Sequence, residues 1–144
     1  MIRTSTAVWQ GDGLHGKGEL TTQSGVFRDQ PYSFNTRFQS EDGRAGTNPE
    51  ELLAAAHAGC FAMALAFALT EAGHAPEQLQ VAADVDIQKA EGGFEIKVIG
   101  LALEARVPNI DKATFDAIAE AAKVSCPLSK ALATIPIKLS AKLL

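Results

Sequence analysis

The amino-acid sequence predicts an α+β domain in which a mainly antiparallel sheet packs on two main helices. Three observations carry that expectation. Segments that alternate apolar and polar residues lie at both ends and in the middle of the chain. One long apolar stretch, 47–73, is bounded by helix-start and helix-stop residues, and a second helical pattern lies near the C-terminus. A chain of 144 residues suits a single domain, 1–144, with a core of its own.

Taken in order, Arg3–Trp9 has β-rich alternation and reads as a first strand. The run GDGLHGKG follows, and Gly11, Gly13 and Gly16 satisfy a G-x-G-x-x-G spacing. No helical pattern comes after it. Glu19–Gln23 reads as a second strand closed by a Ser24-Gly25 turn, so a glycine-rich hairpin is expected rather than a phosphate loop. Val26–Gln39 reads as a further strand in which Pro31 marks an edge or a bulge. Near its end YSFNTRF sets Arg37 between apolar and aromatic neighbours, where a lone arginine ordinarily faces solvent. The polar loop Ser40–Gly46 leads to the central stretch.

That stretch is TNPEELLAAAHAGCFAMALAFALTEAG. Asn48 can cap a helix, Pro49 suits its first position, and Glu50 and Glu51 place negative charge in the first turn. Gly73 is suited to a left-handed C-terminal residue. From Leu52 to Leu69 only His57 is clearly polar, and a helix apolar on all sides is either buried all round or inserted in a membrane. Its alanine content, acidic flanks and His57 argue against a membrane span. A symmetric dimer that packs two such helices together would bury the faces the N-terminal strands leave uncovered.

Beyond Gly73, His74–Gln80 reads as a connector. Val81, Ala83, Val85 and Ile87 then alternate as in a strand with one dry face, Glu91-Gly92-Gly93 is a turn signal, and Phe94–Val107 returns as a longer strand. The apolar phase moves from Phe94, Ile96 and Val98 to Leu101, Leu103 and Ala105, with Gly100 between them, so a bulge is expected at Gly100. After Pro108, Asp111 can cap a helix with Phe115, Ile118, Ala119 and Ala122 on one face and Ile110 as a staple. VSCPLSKALAT follows, and Ile135–Leu143 alternates as a last strand.

Composition narrows the function classes. A hydrophobic share of 47% and a charged share of 21% describe an ordinary globular protein, and a net charge of −4 disfavours generic binding to nucleic acid or anionic membranes. MIRTSTAVWQGDG lacks the apolar core of a signal peptide, so a cytoplasmic location is expected. Two cysteines there mean redox or nucleophilic chemistry, or simple burial, more often than a disulfide framework. Cys126 precedes Pro127 and is expected at the N-cap of a short helix, Pro127–Ala133, where amide N–H groups and the helix dipole favour a thiolate. Cys60, in mid-helix and apolar surroundings, is expected to be harder to ionise unless a cation lies beside it. Cys60, Cys126 and His57 lack the paired spacing of a zinc site. His57 and Cys60 are three apart on one helical face, which leaves both a Cys–His nucleophile and a packed core histidine open.

The run NPEELLAAAHAGCFAMAL, with SCPLSKAL near the C-terminus and YSFNTRF before the helix, resembles the OsmC/Ohr family of thiol peroxidases. The likeness extends over essentially the whole chain, including GDGLHGKG. It implies an intertwined homodimer that reduces organic hydroperoxides, alkyl or lipid, with no metal, flavin or haem cofactor. On this resemblance Cys60 is the peroxide-attacking cysteine and Cys126 the resolving cysteine that closes an intramolecular disulfide. Glu50 is the glutamate of the N-P-E signature, and Arg37 is the arginine that pairs with it. One departure bears on the branch. In the Ohr branch the arginine comes from the early glycine-rich region, where this chain has Lys17 and Gly18; Arg37 is similar to the OsmC arrangement, with Arg44 as the fallback.

A guanidinium beside Cys60 would hold its thiolate without losing its own proton, and Glu50 would hold that guanidinium through a charge-assisted pair. In a continuous helix, however, Glu50 lies about 15 Å before Cys60 along the axis. Either the helix breaks or Glu50 and Arg37 serve the Cys60 of the other subunit; the second is expected, with the active site at the dimer interface. Phe61, Met63, Leu65 and Phe67 then offer an apolar lining for alkyl peroxides. An external dithiol, lipoyl-type or small, is the expected reductant. Two rivals stand beside this reading: a Cys60–His57 hydrolase or acyltransferase, in which Cys126 is dispensable, and a non-enzymatic dimer that carries a lipid or small ligand with both thiols inert.

Overall fold

A computed structural model describes residues 1–144 as two compact units, Met1–Leu52 and Leu53–Leu144. The first holds three strands, β1 (Ser5–Gln10), β2 (Lys17–Thr22) and β3 (Gln30–Tyr32), paired antiparallel in that order. The β1–β2 connection is the expected glycine-rich hairpin. Asp12 Oδ1 accepts the amides of Leu14 and His15 at 2.8 Å. A Cβ on Gly18 would come within 2.3 Å of the Tyr32 ring and 2.7 Å of Trp9, so only glycine lets β2 pass beneath those rings.

The strand expected over Val26–Gln39 is largely absent. Only Gln30–Tyr32 pairs, and Asn35–Gln39 forms a π-helical turn that carries Arg37. Ser33 and Thr36 start this turn by capping each other: the Thr36 amide donates to Ser33 Oγ at 3.3 Å and the Ser33 amide to Thr36 Oγ1 at 2.9 Å. Phe34 and Phe38, which suit the alternation of a strand, also lie four apart. They meet on one side of the turn with ring centroids 5.0 Å apart.

Helix α1 (Pro49–Glu71) starts in the first unit and runs through the second without a break. Its ends are those the sequence marks. The Glu51 amide donates to Asn48 Oδ1 at 2.8 Å, and at the other end Gly73 has φ +86°. The His74 and Gly73 amides close back on the Leu69 and Thr70 carbonyls at 2.8 and 3.0 Å, a Schellman cap.

In the second unit α1 is followed by β4 (Gln78–Ala90), β5 (Gly93–Arg106), α2 (Lys112–Ser125), α3 (Pro127–Ala131) and β6 (Ile137–Leu143). The sheet order is β4-β5-β6, antiparallel between β4 and β5 but parallel between β5 and β6. The α2–α3 segment is the crossover a parallel pair requires. The bulge lies nearer the hairpin than expected. Asp86 faces Val98 and Ile87 faces Ile96, which leaves Lys97 as the extra residue, while Gly100 pairs regularly with Asp84. From Ile99 onward every second residue of β5, Leu101, Leu103 and Ala105, is buried.

The core lies wholly in this unit. Phe61, Leu65 and Leu69 of α1 pack with Leu101, Leu103 and Ala105 of β5 and Phe115, Ala119 and Ala122 of α2. By length and composition α1 would also serve as a membrane span, but one of its faces is committed to this core. The opposite face, which includes Gly59, Met63 and Phe67, is apolar and uncovered; Met63 is 65% and Phe67 71% exposed. No apolar side chain before residue 57 is buried.

Candidate active site

Cys60 sits in the middle of α1 at the margin of the core, and Cys126 is fully buried within it. Cys126 occupies a junction: it ends α2, donating its amide to the Ala122 carbonyl at 2.9 Å, and with φ −52° and ψ 128° it precedes Pro127 at the start of α3. Helix α3 ends two residues earlier than the Pro127–Ala133 span expected. Packing α1 against α2 and α3 brings the sulfurs together, with Cys60 Sγ and Cys126 Sγ 3.0 Å apart and both cysteines free. A movement of about 1 Å would close a disulfide.

The environments of the two thiols push their acidities apart. Burial, and the hydrogen bond to Cys126, hold the Cys60 thiol above its ordinary pKa, against a smaller opposing effect of the Leu128 amide. Burial works against ionising Cys126 as well. There it is outweighed by the Cys60 thiol, the Ser129 and Leu128 amides and the Ser129 hydroxyl, which together bring Cys126 below its ordinary value. This is the ordering expected from a mid-helix cysteine and a helix-start cysteine.

His57 is fully buried and bonds to Ser129: His57 Nε2 and Ser129 Oγ are 2.9 Å apart, and Nδ1 has no partner. Burial pulls the imidazole pKa below its ordinary value, so the ring is neutral near pH 7. Ser129, two residues into α3 beyond Pro127, is the partner of the buried His57.

The first unit holds the other pair. Arg37 on the π-helical turn grips Glu50 in the first turn of α1 through Nε, at 3.0 and 3.1 Å from the two carboxylate oxygens, and Nη2, at 2.6 Å. This bidentate geometry fixes the plane of the guanidinium. Arg37 also stands over the Phe38 ring, 4.7 Å from its centroid. Arg37, rather than the fallback Arg44, therefore holds the glutamate of the N-P-E signature.

The OsmC-like protein family matches residues 40–140, from the end of the π-helical turn to β6. The chain belongs to the OsmC-like protein family. Peroxiredoxin OsmC of Escherichia coli strain K12 is 52% identical over 126 residues, covering 88% of this chain and 86% of that one. Organic hydroperoxide resistance protein OhrB of Bacillus subtilis strain 168 is 31% identical over 132 residues, covering 87% and 89%. The crystal structure of that OhrB covers 96% of this chain and 98% of its own with a TM-score of 0.71. The higher identity to OsmC places the chain in the OsmC branch, in line with the position of Arg37. The fold is the α+β OsmC fold.

Of the four site residues the sequence nominates, the structure joins Cys60 to Cys126 and Arg37 to Glu50. The continuity of α1 excludes a broken helix between Glu50 and Cys60. Ser129 is the site residue that sequence reasoning missed. Its signal was present in SCPLSKAL: a hydroxyl three residues after an N-cap cysteine occupies the N3 position, which faces the cap.

Proposed function

We propose that this protein is a cysteine-based peroxidase that reduces organic hydroperoxides to alcohols. The observation that carries this is the pair of free sulfurs 3.0 Å apart, one at the margin of the core and one inside it. The names of its relatives, a peroxiredoxin and organic hydroperoxide resistance proteins, point the same way.

Ionised Cys60 attacks the distal peroxide oxygen. The O–O bond breaks, the alkoxide takes a proton and leaves as an alcohol, and Cys60 becomes a sulfenic acid. The Cys126 thiolate then attacks that sulfur, the hydroxyl leaves as water, and the disulfide closes. An external dithiol, lipoyl-type or small, restores both thiols by exchange. Cys60 needs a cation to ionise, because its own surroundings favour the thiol. The clamped Arg37 guanidinium is that cation.

The carrier of Arg37 is a second copy of the chain. Residues 1–52 bury no apolar side chain, and a small sheet without a core is not stable by itself. The uncovered Gly59–Met63–Phe67 face of α1 likewise calls for a cover. We read the chain as one domain, 1–144, completed in an intertwined homodimer that acts in the cytoplasm, with Arg37 and Glu50 of each copy serving the Cys60 of the other. The hydrolase reading loses support because His57 is turned to Ser129.

The test is a thiol titration before and after one equivalent of an alkyl hydroperoxide, with alcohol product measured alongside. Two thiols lost per chain and one alcohol formed are expected. Cys60→Ser abolishes consumption, and Cys126→Ser stops after one turnover with a trappable sulfenic acid on Cys60. Full peroxide consumption by Cys60→Ser, or an unchanged thiol count in the wild type, overturns the assignment.

A further inference from the structure

Two pairs of polar or sulfur-bearing side chains bridge α1 and the 126–129 segment, and the peroxide chemistry uses only one of them. The runs HAGC and CPLS share a spacing: His57 stands three residues before Cys60, and Cys126 three residues before Ser129. The two segments pair in reverse order. Cys60 Sγ lies 3.0 Å from Cys126 Sγ, and His57 Nε2 lies 2.9 Å from Ser129 Oγ. On α1 the bridges are about 4.5 Å apart along the axis, nearly one turn. A single bridge would act as a pivot, whereas two fix both the translation and the rotation of one segment against the other.

Helix α3 depends on such a fix. It has five residues, too few for a helix to be stable alone. Pro127, Lys130 and Ala131 are exposed, so Leu128 and Ser129 attach it to the body. Leu128 does so by apolar contact with the core, which sets no direction. The His57–Ser129 bond is directional, and both partners are buried, at 0% and 5% exposure. Nδ1 of His57 has no partner, so this one bond is all that offsets the burial of the ring. An aliphatic side chain in its place would carry no such cost. What the imidazole adds is placement.

We propose that His57 and Ser129 are positioning residues for the resolving step: their hydrogen bond holds α3 in register with α1, so that Cys126 captures the Cys60 sulfenic acid before a second peroxide reaches it. This role rests on the peroxidase reading above and governs the fate of its intermediate. In capture, Cys126 Sγ bonds to Cys60 Sγ, the Cys60 S–O bond breaks, and the hydroxyl leaves as water with the Cys126 proton. In the competing reaction a second hydroperoxide passes one oxygen to the sulfenic acid and leaves as an alcohol, and Cys60 becomes a sulfinic acid. Capture is intramolecular and falls steeply as the sulfurs are misplaced; the competing reaction depends on peroxide concentration and not on α3.

The experiment exposes reduced wild type and variants to a concentration series of cumene hydroperoxide, and intact-mass spectrometry separates disulfide from sulfinic acid. In Ser129→Ala, half of Cys60 is expected to end as sulfinic acid at roughly three- to tenfold less peroxide, the effect of losing one buried hydrogen bond. The initial stopped-flow rate of Cys60 oxidation stays at the wild-type value. Ser129→Thr, which keeps the hydroxyl, restores the wild-type partition. His57→Gln, which keeps a side-chain amide near Ser129, retains more of it than His57→Leu, so this pair reads the same bond if Ser129→Ala does not fold. His57→Leu combined with Ser129→Ala is no worse than the weaker single variant, because the same bond is lost. Leu69→Ala opens a cavity in the core about 14 Å from Cys60 along α1 and leaves the partition unchanged, which separates placement from stability. A wild-type partition in Ser129→Ala and in His57→Leu, or an equal shift in Leu69→Ala, overturns the role. A wild type that forms neither disulfide nor alcohol overturns the peroxidase reading instead.

Discussion

Replacing Phe67 by serine tests the uncovered face of α1. Phe67 is 71% exposed in the single chain, on the side of the helix opposite the buried Phe61, Leu65 and Leu69, so the substitution removes almost none of the core. In a symmetric dimer the change occurs twice. Burying one phenylalanine side chain is worth about 1.5–3 kcal/mol, so two copies withdraw about 3–6 kcal/mol from association. At about 1.4 kcal/mol per decade, the dimer dissociation constant rises by roughly two to four orders of magnitude. Sedimentation over a concentration series reads this directly. On the proposed shared site, peroxide turnover at the same concentrations should fall in step with the dimer fraction. Far-UV circular dichroism of the monomer checks that its helices persist. A Phe67→Ser protein that stays dimeric at wild-type concentrations refutes the assigned face, and a monomer with full peroxidase activity refutes a site shared between subunits.

Three other outcomes are expected. Arg37→Ala leaves Glu50 without its bidentate partner, and on the proposed role of Arg37 as the cation beside Cys60, stopped-flow oxidation by an alkyl hydroperoxide should slow by roughly ten- to a hundredfold; Arg37→Lys, which keeps the charge but loses the fork, should recover only part of that. Leu65→Ala opens a cavity in the middle of the core and should cost about 2–5 kcal/mol in urea unfolding monitored by circular dichroism. His57 is buried neutral, with its pKa below the ordinary value of 6.5. Its protonation therefore favours the unfolded chain: its contribution is intact above pH 6.5 and is lost as pH falls through 6.5 toward the folded value. Between pH 7 and 5 the reduced wild type should lose more stability than His57→Gln, by at most about 1.4 kcal/mol per pH unit.

The elements with strong local punctuation were readable from the chain. Asn48-Pro49 and Gly73 bound α1 because caps are local chemistry, and Asp111 starts α2 for the same reason, accepting the Thr114 amide at 2.9 Å. The segment 26–39 was misread because Phe34 and Phe38 satisfy a period of two and a spacing of four equally well. The Ser33–Thr36 reciprocal cap decided between them. The bulge was placed at Gly100 because glycine is the obvious irregular residue, yet pairing with β4 put it at Lys97, and strand register is set by a partner that sequence alone does not display. The parallel placement of β6 is likewise a matter of topology. In the site, the relative acidity of the two cysteines followed from their helix positions, while the roles proposed for Cys60, Cys126, Arg37 and Glu50 come from family resemblance. Ser129 stayed hidden because its meaning depends on His57, which lies 72 residues away in the chain and adjacent in the fold.

The 66-residue separation of the two sulfurs also bears on biosynthesis. At about 5–20 residues per second on a ribosome, Cys60 is made roughly 3–13 s before Cys126. Throughout that interval a nascent polypeptide carries one thiol and lacks the α2–α3 segment that will shelter its counterpart. Oxidant reaching Cys60 then finds no intramolecular rescuer, and the damage can proceed to the irreversible sulfinic state. A cell meeting peroxide mid-translation is thus protected by the molecules it has already finished.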